Sequence, residues 1–341
     1  MKQIDLDRTI IEATVERALS EIRADPERTL RRLVDMGQGF ANGPFQRHFF
    51  EAAQHMLENE SSAYYQLLKR IVTEVNHEKL KTFGMNLGYN GCTKGAKLIR
   101  SHEAKLGFNI PWALSFALAK EDCSLTIEEL THAIHQGKEL GIYVYFLFYQ
   151  DDRLMDTQGL LAEHNDCAFI LFSQPEFLTA AAIHSLEKQN NIMVSITADL
   201  PETEPITRTL RAQHFLFSVH SFYTALDVKT CLNAAHMEKI SSYGPLFYFL
   251  IPAESCPKQD MLEMGPQVSA VRDAQRYPLL PVDMLHDMLH IDRIISEDAC
   301  AVSFDSTGHA RDCYGQRRHE KISLRNMSLS DILRISNPKA I

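Results

Sequence analysis

The stretch Thr126-Ile127-Glu128-Glu129-Leu130-Thr131-His132-Ala133-Ile134-His135-Gln136-Gly137-Lys138-Glu139-Leu140-Gly141-Ile142-Tyr143-Val144-Tyr145-Phe146-Leu147-Phe148 carries the reading of the fold. Thr126 and Glu129 are spaced as a capping box, in which each side chain satisfies an orphan N–H of the other. Gly141 stands where a helix must end in a left-handed residue. The apolar run that follows at once reads as a strand buried on both faces. Helix, glycine stop and buried strand in this order make one α-to-β step of a parallel sheet.

Working outward, the same alternation recurs. Strand-like runs are expected at Trp112 to Leu118, Tyr143 to Phe148, Phe169 to Phe172, Ile192 to Ile196, Phe215 to Val219, Leu246 to Ile251 and Ala301 to Phe304. They lie roughly 25 residues apart with helical sequence between them, the spacing of parallel β-α units. Such units build either an open doubly wound sheet or a barrel, and periodicity does not choose between the two. Before Asn86 the periodicity is helical, broken at Asp25-Pro26 and between Gly37 and Pro44.

The chain has 341 residues, a net charge of −9 and 45% hydrophobic residues, which gives ample material for a core. Lys and Arg are dispersed, so no stripe neutralises a run of phosphates and nucleic acid is not an expected partner. The longest apolar runs, Ile142 to Tyr149 and Pro245 to Pro252, are too short to cross a bilayer, so no membrane partner is expected. Met1 to Ile22 carries charges where a signal peptide needs an apolar segment, and the expected location is cytoplasmic. Seven cysteines at irregular spacing argue against a disulfide framework, and none forms the C-x-x-C clip of a zinc or iron–sulfur site.

Several segments resemble, in the same order, a group of bacterial radical S-adenosylmethionine (radical SAM) proteins with an N-terminal helical extension and a SPASM-like tail. Asp25-Pro26-Glu27-Arg28 with Leu30, Leu33 and Val34 resembles the extension. Phe108-Asn109-Ile110-Pro111-Trp112-Ala113 resembles the entry to the first barrel strand, and Leu125 to Leu130 with Gln136 to Tyr143 resembles the first helix and second strand. Asp283, Ile294-Ile295-Ser296, Val302 to Cys313 and Ser328 to Leu333 resemble the closing elements and the post-barrel cysteine turn. The resemblance implies an α/β protein built as a partial (β/α)6 TIM-like barrel of the radical SAM type. It divides the chain into an N-terminal helical region (1–107), a barrel (108–300) and a SPASM-like tail (301–341).

The departures from that family matter as much. Radical SAM chemistry needs three thiolates to seat a [4Fe–4S] cluster, whose open iron holds S-adenosylmethionine. In the family they follow the first strand as C-x-x-x-C-x-x-C. Here the interval from Ser115 to Thr126 holds only Cys123. The family's Gly-Gly-Glu-Pro turn after the second strand is replaced by Tyr149-Gln150-Asp151-Asp152, with side chains where bare backbone is needed. Neither cluster nor S-adenosylmethionine is therefore expected. The expectation is a binding or accessory protein, a pseudoenzyme whose partner is a protein or peptide, an active radical SAM enzyme among them, or a small molecule.

In both sheet architectures ligands meet the C-terminal strand ends. The candidate ligand-binding residues are accordingly Tyr149, Gln150, Asp151, Asp152, Ser173, Thr197, Asp199 and His220. Asp151 and Asp152 could accept bonds from a ligand, although adjacent acids at a strand end are more often turn residues. His220 could serve as a general base in an enzyme of non-radical chemistry, and a hydrogen-bonded core histidine is the commoner outcome. No metal is expected. Cys123, Cys256 and Cys313 are the minor candidates for one, set against three small half-buried thiols. His286 and His290 share a helical face without the glutamate of a zinc protease helix. Asn86 to Gly95 lacks the spacing of a phosphate loop and reads as a helix-entry turn.

Overall fold

Two hydrogen bonds close the capping box in the computed structural model, which describes residues 6–22, 26–39, 43–120, 124–224, 227, 230–318 and 321–339. The Glu129 amide donates to Thr126 Oγ1 at 3.1 Å and the Thr126 amide to Glu129 Oε2 at 2.8 Å. Gly141 ends the helix at φ 106°, in the region that favours glycine.

Among the described residues, six α-helices precede the first strand: α1 (Leu6–Glu21), α2 (Pro26–Gly39), α3 (Pro44–Leu57), α4 (Tyr64–Glu74), α5 (His77–Met85) and α6 (Ala96–Leu106). Then come β1 (Ala113–Leu118), α7 (Ile127–Leu140), β2 (Val144–Tyr149), α8 (Gln158–Glu163), β3 (Ala168–Ser173), α9 (Ala180–Leu186), β4 (Ile192–Thr197) and α10 (Thr203–Ala212). They are followed by β5 (Phe217–Tyr223), α11 (Ala234–Tyr243), β6 (Phe247–Pro252), α12 (Lys258–Ala274), β7 (Leu280–Asp283) and α13 (Met284–Ser296). The chain closes with β8 (Val302–Phe304), β9 (Ala310–Arg311) and α14 (Leu329–Ser336).

The strands form one curled sheet in the order β7-β6-β5-β4-β3-β2-β1-β8-β9, parallel except for β9. This is the expected partial barrel, widened beyond six strands by β7 and β8. Strand β7 carries Pro281, which cannot donate to a ladder, and its four residues give little pattern to read. Strand β8 pairs with β1 from the far end of the chain and β9 with β8, so Val302–Phe304 and Ala310–Arg311 share the sheet with the barrel. A seam stays open between β7 and β8, whose second edge is taken by β9.

The N-terminal pole is covered by α5 and α6, joined through π-helical turns over Asn86–Gly95. Asn86 Nδ2 donates to the carbonyls of Asn165 and Cys167, and Asn90 Nδ2 to that of Asp166, so both amides satisfy the loop below β3. A Cβ on Gly95 would lie 2.4 Å from the Gly141 carbonyl oxygen, and glycine is what allows the π-helical turns to sit against the end of α7. Lys79 is buried there and donates to the carbonyls of Glu187 at 2.6 Å and Gln189 at 2.7 Å, capping the C-terminal end of α9. Among the described residues no helix is long and apolar enough to cross a membrane.

Candidate functional site

Alternation along each strand sends one set of side chains to the helices and the other to the concave face. On β2, Tyr145 faces outward and its hydroxyl donates to the Ile134 carbonyl of α7 at 3.1 Å. Phe146 and Phe148 therefore face inward. Phe148 stacks on Phe172 at 4.3 Å, and Phe172 makes edge contacts with Phe249 and His220 and a tilted one with Phe146. Phe247 follows Phe249, and Phe222, 51% exposed, stands at the open end of the row. Aromatic rings fill the concavity.

His220 is the polar centre of that face. Its Nδ1 lies 3.1 Å from Ser195 Oγ and its Nε2 3.1 Å from Thr197 Oγ1, so both ring nitrogens are paired. The cross-strand register places Thr197 opposite His220. Burial between Phe172 and Phe222 pushes the imidazole pKa down to about 3, which keeps the ring neutral at physiological pH. A group already neutral and hydrogen-bonded on both sides is a poor proton acceptor near pH 7.

The residues after β1 and β2 come together as a clamp. Asp151 accepts from the Arg153 amide at 2.9 Å with one oxygen and from the Lys120 amide with the other. Lys120 Nζ pairs with Asp152 at 2.9 Å, and this exposed contact lowers the Asp152 pKa. Arg153, 7% exposed, donates to the carbonyls of Ala119, at 3.0 Å, and of Leu125. The guanidinium thus ties together both ends of the loop that follows β1. The Leu125 amide donates to the Ser306 carbonyl at 2.7 Å, so the tail holds the same loop from the other side.

The remaining candidates disperse. The Tyr149 hydroxyl is buried against Thr157 Oγ1 at 2.8 Å, and Ser173 Oγ donates to the neighbouring Gln174 carbonyl. Gln150 is exposed, its amide bonded to the Leu118 carbonyl. Asp199 lies in a different network, accepting from Ser221 Oγ at 3.3 Å and pairing with Lys239 at 3.0 Å. Ser221 receives the Tyr248 hydroxyl at 3.0 Å, and Tyr248 meets His236 Nε2 at 2.9 Å, so this network fastens α11 to the ends of β4, β5 and β6. Of the eight residues singled out from the sequence, Thr197 and His220 meet, as do Asp151 and Asp152 through Lys120.

Cys256 is buried and Cys313 half-buried in one apolar cluster, whereas Cys123 lies outside the described residues. Among the described residues, one trio of ligand-type side chains converges, Glu16, His77 and Glu78, at the surface and already paired with Lys81. His286 and His290 are both exposed on α13. A surface concavity of about 600 Å³ lies between α7 and the start of α14, away from the aromatic row, lined by His132, His135, Gln136, Glu139 and Ser328.

Arg153 was not singled out by the sequence. The available signal was an arginine directly after two aspartates at a strand end, which does not say that the side chain turns inward.

Among solved structures the chain is similar to Streptococcus suis SuiB bound to S-adenosylmethionine, with a TM-score of 0.52 at 12% identity over 69% of this chain and 67% of that one. SuiB bound to precursor peptide SuiA gives a TM-score of 0.53 at 10% identity over 70% and 68%. No family model matches the sequence, and no curated protein matches it. At these identities the likeness establishes the fold, a curled and mostly parallel half-barrel of the radical SAM kind.

Proposed function

We propose that this protein uses a radical SAM-type half-barrel for binding, as an accessory protein that has given up cluster and S-adenosylmethionine chemistry. The observation that carries the reading is the Arg153 clamp. A [4Fe–4S] cluster needs three thiolates on the loop after β1 and the negative charge they bring. The residues at that place do not fit the group. The loop holds one cysteine in the sequence, and its flanks are drawn together by a buried cation spanning the carbonyls of Ala119 and Leu125. After β2, Asp151 and Asp152 are engaged with Lys120, where the family needs bare backbone beside the cofactor.

A peptide or protein partner fits this reading best. The structural neighbour SuiB was solved with a precursor peptide, and the concave face here is filled by aromatic rings around a buried neutral imidazole in place of a charged reaction centre, with Phe222 exposed at its open end. The partner class we favour is a modifying enzyme of the radical SAM type or the peptide it acts on. An acid–base enzyme working at the mouth is disfavoured, since His220 is paired on both sides and Asp199 points into the α11 network.

The test is anaerobic purification followed by reconstitution with iron and sulfide. The expected result is substoichiometric iron, no cluster absorption in the visible range and intact S-adenosylmethionine after reduction. A full [4Fe–4S] complement with reductive cleavage of the cofactor would sink the proposal.

A further inference from the structure

We infer that Cys256 and Cys313 form a redox latch that fastens the tail hairpin to the loop between β6 and α12. The inference stands on two contacts that bracket the cysteines. Arg311 pairs with Glu254 at 2.5 Å, and Lys258 Nζ sits 4.2 Å from the centre of the Tyr314 ring. Cys256 lies midway between Glu254 and Lys258, and Cys313 lies between Arg311 and Tyr314. The two segments therefore meet at this rim, with one cysteine on each between the bracketing contacts. Cys256 is buried in one apolar cluster and Cys313 packs against the same cluster.

The bracketing contacts are weak by themselves, because Glu254 is 82% exposed and an exposed ion pair contributes little. The hairpin is, however, rigid in its own right. Asp305 pairs with Arg317 at 2.7 Å, and Asp312 accepts from the amides of Tyr314 and Gln316. A rigid hairpin held to the rim by weak contacts, with a thiol on each side, has the parts of a reversible fastener. Arg311 belongs to β9 at one end of the sheet and Glu254 follows β6 near the other, so the bond would tie those two ends together.

The chemistry balances with a low-molecular-weight disulfide as oxidant. The thiolate of Cys313, the more exposed of the two, attacks one sulfur of oxidised glutathione and expels a glutathione thiolate. The Cys256 thiolate then attacks the Cys313 sulfur of the mixed disulfide and expels the second. Two protein thiols lose their protons and become one disulfide, while one oxidised glutathione becomes two reduced ones. Burial raises both thiol pKa values, so the reaction should quicken as pH rises.

The full chain is incubated with oxidised glutathione at mildly alkaline pH, alkylated, digested and analysed by mass spectrometry, with thermal melts in parallel. We expect a peptide linking Cys256 to Cys313, five of the seven cysteines still alkylatable after denaturation, and a raised Tm that dithiothreitol reverses. In Cys313→Ser, Cys256 should stay unlinked and the Tm should not respond. Separate glutathione adducts on the two residues would overturn the latch, as would a bond from Cys256 to Cys231 in the same cluster, or seven free thiols after prolonged oxidation.

Discussion

Replacing Arg153 with methionine keeps most of the stem and removes the fork that joins the two ends of the β1 loop. The carbonyls it serves belong to Ala119, 3% exposed, and Leu125, 0% exposed, so water is a poor substitute at either. Hydrogen bonds to a charged group contribute about 1.5–3 kcal/mol each, and an acceptor left unpaired in the interior costs a similar amount. Lys120 beside Ala119 is exposed, which lets some water reach the loop and moves the expectation to the low side, about 2–4 kcal/mol in all. With an unfolding entropy of about 2.1 cal/mol/K per residue, that lowers the Tm of a chain this long by roughly 3–6 °C. Circular dichroism melts read the global effect. Hydrogen exchange reads the local one, with the Leu125 amide losing protection first, because its bond to the Ser306 carbonyl depends on the loop position. Arg153→Lys should fall between, since an ammonium is a point donor that cannot span both carbonyls. A methionine variant that melts within about a degree of the parent and keeps Leu125 protected would show that the clamp does not hold the loop and that Arg153 does not shape this site against a cluster.

Two further outcomes follow from the same geometry. Gly95→Ala would force backbone apart, since its Cβ would stand 2.4 Å from the Gly141 oxygen and 2.7 Å from that of Asn90, and chemical denaturation should show a loss of about 2–3 kcal/mol. Equal denaturation midpoints would mean that the π-helical turns can retreat from α7 at no cost. For His220, the folded pKa of about 3 lies below the roughly 6.5 of an unfolded histidine. The unfolded chain then binds the extra proton between those values, so the contribution of His220 is complete above pH 6.5 and is lost as pH falls toward 3. An NMR titration should find its ring resonances flat from pH 8 to 5, and a ring titrating near 6.5 would refute the buried neutral assignment.

The aromatic strands, the capping box and the glycine stop were legible because burial on both faces and a helix end each require particular residue types over a few consecutive positions. Strand β7 was not legible, because four residues with a proline carry almost no period and its pairing with β6 supplies the missing definition. The site shows the same division. Thr197 and His220 sit at strand ends that any parallel sheet would bring forward, but their contact requires the register of β4 against β5. Asp199 was singled out by the same rule, and it turned instead to Lys239 because α11 packs there.

The amino-acid order alone determined the β-α alternation, the helical lead-in and the scarcity of cysteine after the first strand, since each is a matter of residue type along a short span. Tertiary structure decided that the sheet curls and stays open between β7 and β8, that Arg153 turns inward to span the β1 loop, and that Cys256 and Cys313 share one cluster. Those facts depend on groups many residues apart in the chain, and no local pattern encodes which distant carbonyl or thiol will be met. Packing of the whole sheet against its helices makes that choice.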